Sequence, residues 1–205
     1  MAKLFSQNNS LEIQKYLGYT MNYMLLLVIP ATFGLSLLSK QLLEILSTRE
    51  ISLNAYMVVP LVAISFLFFA AQGVFVQVLY LFKKTSVIGT IWFLGALLNL
   101  GSNFIFIPKF GLLGAAFTTL LAYLFVFGAT WFFSSKYLSF AIEWKTLLKS
   151  VLASLLMSLA ILFFRPEGLL ETGVSIVLGT LLYALLLFGM KGIGKKEIEF
   201  FAKLF

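Results

Sequence analysis

The fold of this chain is decided by residues 99–123, which read NLGSNFIFIPKFGLLGAAFTTLLAY. Two apolar runs stand on either side of Pro108-Lys-Phe-Gly111, a combination that is typical of a tight turn. The stretch therefore predicts an antiparallel helical hairpin. Small residues that let a second helix approach closely follow the turn, at Gly114, Ala115 and Thr119.

The composition places this hairpin in a membrane. Of the 205 residues, 61% are hydrophobic and 11% are charged, and the mean hydropathy is +1.02. Soluble domains carry about 45–50% apolar and about 25% charged residues. Six stretches reach the roughly 20 apolar residues that a spanning helix needs. We therefore predict an all-α integral membrane protein with six transmembrane helices, near Leu17–Ser39, Tyr56–Phe82, Val87–Ile107, Leu112–Phe133, Leu147–Phe164 and Leu170–Met190.

The charged and nucleophilic residues exclude most common catalytic sites. All eight acids are Glu, and Asp, His and Cys are absent. This rules out disulfides, thiolate or imidazole metal sites, and the triads that need a His. A membrane glycosyltransferase or acyltransferase would have to use Glu44 with Glu50, or Glu167 with Glu171, and solvated loop charge explains these residues more simply. We expect no enzyme, no metal and no cofactor.

Basic residues indicate the orientation, because cytoplasmic connections are enriched in Lys and Arg. With the N-terminus inside, eleven of the 15 basic residues lie on the inner side. The prediction is a multi-pass protein of the cell (inner or plasma) membrane with both termini in the cytoplasm. Residues 1–16 form a cytoplasmic segment, residues 17–190 form the bundle, and residues 191–205 form an amphipathic tail. Anionic lipid head groups explain the basic charge better than nucleic acid does.

Polar side chains at membrane depth are the candidates for function, because they are costly in lipid. None of the six spans contains a deeply placed ionisable residue. Gly95, Asn99 and Asn103 recur every fourth residue and form one stripe. Amides of this kind bind sugar hydroxyls or tie helices together, and both roles remain open. The candidates for lining a substrate cavity are Asn22, Gln72, Gln77, Asn99 and Asn103.

Two prolines in the predicted spans are candidates for hinges. Pro30 lies well inside the first span and Pro60 lies near the start of the second. Each lacks a backbone N–H, and each is expected to kink its helix or to start a helical turn. In a transporter such bends can serve as hinges, whereas in other membrane proteins they are simply common.

The hairpin resembles a known pattern. Residues 99–123 are similar to the LN…N…IP-x-x-G-x-x-G-A-A-x-x-T…Y signature of polysaccharide biosynthesis membrane proteins. These are O-antigen-type flippases of the multidrug/oligosaccharidyl-lipid/polysaccharide exporter superfamily. The segments Tyr23–Ile45 and 136–149 also resemble this family, and the match covers roughly residues 17–165.

The resemblance implies one half of a MATE-like transporter, which has two six-helix bundles around a central cavity. It implies a flippase component that moves lipid-linked oligosaccharide from the inner to the outer leaflet for export of cell-surface polysaccharide, including lipopolysaccharide O-antigen. The expected partners are membrane lipids, the lipid-linked oligosaccharide, and a second six-helix half, which is either another copy or a separately encoded chain. Half of a cation-coupled multidrug exporter and an inactive truncated fragment remain as alternatives.

Overall fold

The computed structural model describes residues 10–47, 50, 52 and 55–190, and the helices within these residues account for nearly all of them. Five of these helices are long and apolar enough to cross a membrane. The prediction of an all-helical membrane protein is confirmed for the described residues. The helices are α1 (Ser10–Leu37), α2 (Ser39–Leu46), α3 (Val58–Leu81), α4 (Thr85–Ser135), α5 (Trp144–Phe164) and α6 (Gly168–Gly189).

The structure differs from the predicted count of six because the third and fourth predicted spans both lie in α4. This helix has 51 residues, which would extend about 75 Å if it were straight. At Gly111 the backbone leaves the helical conformation, with φ 55° and ψ −131°. A positive φ of this kind is the conformation that glycine tolerates and other residues avoid. The break divides α4 into two arms, residues 85–110 and 112–135.

Two core clusters share α1. The first cluster joins every fourth residue of α1, from Ile13 to Ile29, with one face of α3. The second cluster joins Leu26 and Leu38 to Met157 of α5 and Tyr183 of α6, among others. The helix α1 therefore lies between α3, which carries the α4 hairpin, and the pair formed by α5 and α6.

The outer surface is apolar, as expected of a protein in lipid. Phe163 is 87% exposed, Leu170 is 82% exposed and Phe104 is 74% exposed. In water a continuous surface of such side chains would drive aggregation, whereas in a bilayer it faces acyl chains. The helix α1 begins at Ser10, so its first turns lie in the segment that we expected to precede the membrane. The predicted amphipathic tail, residues 191–205, lies outside the described residues.

Candidate functional site

The two arms of α4 are joined by a short polar chain. The hydroxyl of Thr118 donates a hydrogen bond to Oδ1 of Asn103, with a distance of 2.5 Å. The amide of Asn103 donates in turn to Oδ1 of Asn99, at 3.2 Å. Asn103 is half-buried, and the amide nitrogen of Asn99 is left able to donate to another group. The predicted asparagine stripe therefore contributes to the hairpin and still presents a donor at its edge.

Small residues let the arms approach closely beside this chain. A Cβ at Gly114 would lie 2.7 Å from the carbonyl carbon of Phe106 and closer still to the carbonyl oxygen. The carbonyl of Ala115 accepts a hydrogen bond of 2.9 Å from the hydroxyl of Thr119, and the Thr118 hydroxyl oxygen lies at the same distance from it. Pro108 lies in the last turn before Gly111. Only a residue without a side chain fits at position 114 while the backbones keep this separation.

Asn22 occupies a different part of the molecule. It is 5% exposed, and its Oδ1 accepts a hydrogen bond of 3.2 Å from the backbone N–H of Glu143. It lines a groove of about 270 Å³ together with Gln14, Lys15 and Tyr19. One turn earlier, a Cβ at Gly18 would lie 2.8 Å from the carbonyl oxygen of Ala141. The backbone between α4 and α5 is therefore held tightly against α1 at this point.

The two glutamines lie on α3. Gln72 is buried, with 3% of its surface exposed, and Gln77 is half-buried. Among the grooves on the described part of the chain are five of about 270 to 720 Å³, and of the predicted cavity residues Asn22 alone lines one of these five. The structure therefore places the five residues in three separate regions, at the start of α5, on α3 and in the hairpin.

The predicted hinge residues differ in their surroundings. Pro60 is the third residue of α3, where a missing N–H costs nothing because the first N–H groups of a helix have no intrahelical partner. Pro30 lies inside α1, where its missing N–H interrupts the hydrogen-bond ladder. Among the predicted carboxylate pairs, Oε2 of Glu171 accepts a hydrogen bond of 2.7 Å from the backbone N–H of Glu167, and this bond caps the start of α6.

The sequence analysis missed a column of hydroxyl residues on α5. Ser150, Ser154 and Ser158 are buried and recur every fourth residue, and Thr146 continues the column toward the start of the helix. Ser154 and Ser158 donate to backbone carbonyls four residues earlier, at 2.8 and 2.7 Å. Ser150 instead meets the hydroxyl of Tyr183 on α6, at 2.9 Å. The spacing of these small residues is visible in the sequence, but the contact with Tyr183 depends on tertiary packing.

Three comparisons with known proteins agree on the kind of protein. The family model of the lipid II flippase MurJ matches residues 1–186. A probable low-salt glycan biosynthesis flippase, Agl15 of Haloferax volcanii, is 26% identical over 87% of this chain and 38% of its own length. A solved structure of the lipid II flippase MurJ in an inward closed conformation superposes with a TM-score of 0.74 at 22% identity, covering 90% of this chain and 40% of that one.

These matches refine the predicted resemblance. The predicted superfamily of flippases is confirmed, but the matching family is that of lipid II flippases and not specifically that of polysaccharide biosynthesis proteins. The likeness to the solved structure shows that the two chains share a fold. The chain spans about two fifths of the length of the relatives that it matches. Because the family model covers most of the sequence, the chain belongs to the MurJ family of lipid II flippases.

Proposed function

We propose that this chain is one half of a membrane carrier that moves a lipid-linked oligosaccharide from the inner to the outer leaflet. The observation that carries the proposal is the match of residues 1–186 to the lipid II flippase family. The physical task suits a helical bundle, because a sugar head group cannot cross hydrocarbon unless protein groups replace its water. The protein acts by transport in this proposal and not as an enzyme.

The proposal includes six membrane crossings, with each arm of α4 counted as one crossing. Both termini would then lie on the cytoplasmic side, together with the basic connections after α3 and before α5. The shorter turns near Gly111 and Pro166 would lie on the outer side. The positive-inside rule supports this arrangement, since Lys83, Lys84 and Lys136 all fall on the proposed inner side.

A second half completes the proposed carrier. The chain spans about two fifths of the length of its relatives, and those relatives are named as flippases at their greater length. The second half is either another copy of this chain or a separately encoded one, and together the two would form a two-bundle, MATE-like cavity. The polar groups that we assign to the cavity wall are Asn22, Gln72, Gln77, Asn99 and Asn103.

The test of transport uses liposomes that contain a fluorescent prenyl-pyrophosphate disaccharide. The purified full chain is reconstituted alone and with its candidate second half, and a membrane-impermeant quencher then reports the fraction of lipid in the outer leaflet. We expect the inner-leaflet pool to become quenchable only when protein is present and only when the saccharide is attached. Absence of this exchange in both reconstitutions would refute the proposal, and movement of organic cations instead would favour a multidrug exporter.

The hairpin offers a matched pair of variants that separates a binding role of Asn103 from a packing role. Thr118→Val and Asn103→Leu both break the hydrogen bond between the arms, but only Asn103→Leu removes the amide. If Asn103 contacts the sugar, Asn103→Leu reduces transport by about tenfold more than Thr118→Val does at equal protein level. Equal losses would show that Asn103 serves only to hold the hairpin together.

A further inference from the structure

Pro30 leaves one backbone carbonyl without its helical partner. In an α-helix the N–H of residue 30 would bond to the carbonyl of Leu26, and proline has no N–H to offer. This gap lies in the second half of α1, about two turns before its end, in a helix that is long and apolar enough to cross a membrane. An unpaired carbonyl is costly there because the lipid interior supplies no hydrogen-bond donor. The carbonyl of Leu26 therefore needs a donor from another helix.

Tyr183 of α6 supplies this donor. Its hydroxyl lies 2.7 Å from the carbonyl oxygen of Leu26, which is 157 residues away in the sequence. The hydroxyl of Ser150 on α5 lies 2.9 Å from the same tyrosine oxygen. Because a tyrosine has one hydroxyl proton, Tyr183 donates to Leu26 and accepts from Ser150. The hydroxyl of Tyr183 therefore joins α1, α5 and α6 at the carbonyl that Pro30 leaves without its helical partner. Leu26, Ser150 and Tyr183 are all buried.

The two parts of α1 on either side of this contact are packed differently. Of the nine buried residues of α1, all except Thr32 lie at or before Ile29. The segment after Pro30 is flanked by two apolar grooves, one of about 560 Å³ toward α3 and one of about 410 Å³ toward α5 and α6. Gly34 has no neighbouring atom within 4 Å of the position that a Cβ would take. The side of the later segment that faces the two grooves is therefore open, and this segment is anchored at its end by Leu38, which packs in the second core cluster with α5 and α6. The earlier segment is held against α3 by the first core cluster.

We propose that the hydroxyl of Tyr183 is a latch on the hydrogen-bond gap that Pro30 leaves in α1. When the latch is closed, it holds α1 at this gap against α5 and α6. When it opens, the segment after Pro30 swings as a unit while the segment before Pro30 stays packed on α3. The role of this swing in moving a head group rests on the proposed function, but the latch itself does not depend on a substrate.

A double-mutant cycle tests the partnership between Tyr183 and Pro30. Tyr183→Phe removes only the hydroxyl, and Pro30→Ala returns an N–H that bonds to the Leu26 carbonyl. We expect Tyr183→Phe to raise the unfolding constant of the full chain in mixed micelles about tenfold. In the Pro30→Ala background the same change should raise it less than about threefold, because the carbonyl already has a donor. Equal effects in the two backgrounds would overturn the assignment.

A distance measurement distinguishes a contact that controls the movement of α1 from one that only stabilises the fold. The sequence has no Cys, so two introduced cysteines can carry spin labels without background. The reporting pair is Leu35→Cys with Val177→Cys, and the control pair is Leu27→Cys with Val177→Cys. All three sites are exposed, and Leu27 precedes Pro30. In nanodiscs, Tyr183→Phe should broaden the 35–177 distance distribution and leave the 27–177 distribution unchanged.

The latch proposal is wrong if Tyr183→Phe leaves the 35–177 distance distribution unchanged. It is also wrong if the 35–177 and 27–177 distributions broaden equally. If Tyr183→Phe does not fold, Ser150→Ala serves in its place, since it removes only the second bond and is expected to act in the same direction with a smaller effect. Neither experiment uses a transported lipid, so a failure of the latch is distinguishable from a failure of the proposed transport function.

Discussion

Substitution of Gly114 by alanine is the most direct probe of the hairpin. The added Cβ would lie 2.7 Å from the backbone carbonyl carbon of Phe106, whereas ordinary contact begins near 3.4 Å. The obstacle is main chain and cannot rotate away, and the carbonyl oxygen of Phe106 lies nearer to the added Cβ than the carbon does, so the arms must separate by about 1 Å. Thr118 lies one turn further along the same arm. The same movement would lengthen its hydrogen bond to Asn103 from 2.5 Å to about 3.5 Å, which is beyond bonding range.

The expected cost follows from these two effects. Forcing an extra methyl group into a packed contact costs about 1–3 kcal/mol. Loss of one hydrogen bond between membrane helices adds about 0.6 kcal/mol. We therefore expect Gly114→Ala to reduce the free energy of unfolding by roughly 2–3 kcal/mol, which raises the unfolding constant by roughly 30- to 150-fold.

The assay is equilibrium unfolding in mixed micelles, followed by circular dichroism. Gly128→Ala is the matched control, because Gly128 lies on the same arm and has no atom within 4 Å of the position that its Cβ would take. The control should be neutral or slightly stabilising, since alanine is the better helix former. Comparable destabilisation by the two variants, or a loss below about 0.5 kcal/mol for Gly114→Ala, would refute the close approach of the arms.

Three further changes test other contacts. Gly18→Ala should push residues 138–143 away from α1, and amide hydrogen exchange should then increase in that segment but not in the hairpin. Gly128→Ala again serves as the control, because its added Cβ has no atom within 4 Å. Glu171→Ala should lower the unfolding free energy by about 0.5 kcal/mol more than Glu167→Ala, since the two remove the same charge and only Glu171 accepts the capping N–H; equal losses would contradict this role. Ser154→Leu should lower the unfolding free energy by about 1–3 kcal/mol through overpacking, whereas Ser154→Ala should change it by less than about 1 kcal/mol. A larger loss for Ser154→Ala than for Ser154→Leu would contradict the close packing of α5.

Much of the fold was predictable because local chemistry determines it. Long apolar runs locate the helices, and the observed ends of α3, α5 and α6 lie within about three residues of the predicted spans. The sequence Pro-Lys-Phe-Gly predicts the reversal, and the structure places positive φ at its glycine. The asparagine spacing predicted one stripe, which the bond between Asn99 and Asn103 follows.

The remaining contacts depend on which helices pack against one another. No local pattern states that Tyr183 reaches the carbonyl of Leu26, because the two residues are brought together by the packing of α1 on α5 and α6. The hairpin landmarks also could not separate one flippase family from another. Pro108, Gly111 and Gly114 determine how two arms turn and approach, and this geometry says nothing about the head group that a carrier holds.

The charge distribution bears on the identity of the proposed second half. In the described membrane-spanning helices, Lys and Arg occur near the ends and at the turn of α4, at Lys15, Lys109 and Lys149 for example, and not in the central turns. A pyrophosphate head group at membrane depth loses the water around its negative charges, which costs free energy, and hydrogen bonds from neutral amides offset only part of that cost. Two copies of this chain would enclose a cavity to which the described helices bring no deep basic residue. We therefore expect a separately encoded half with Lys or Arg at membrane depth to support faster transport than a second copy does, as measured by the liposome assay with each pairing.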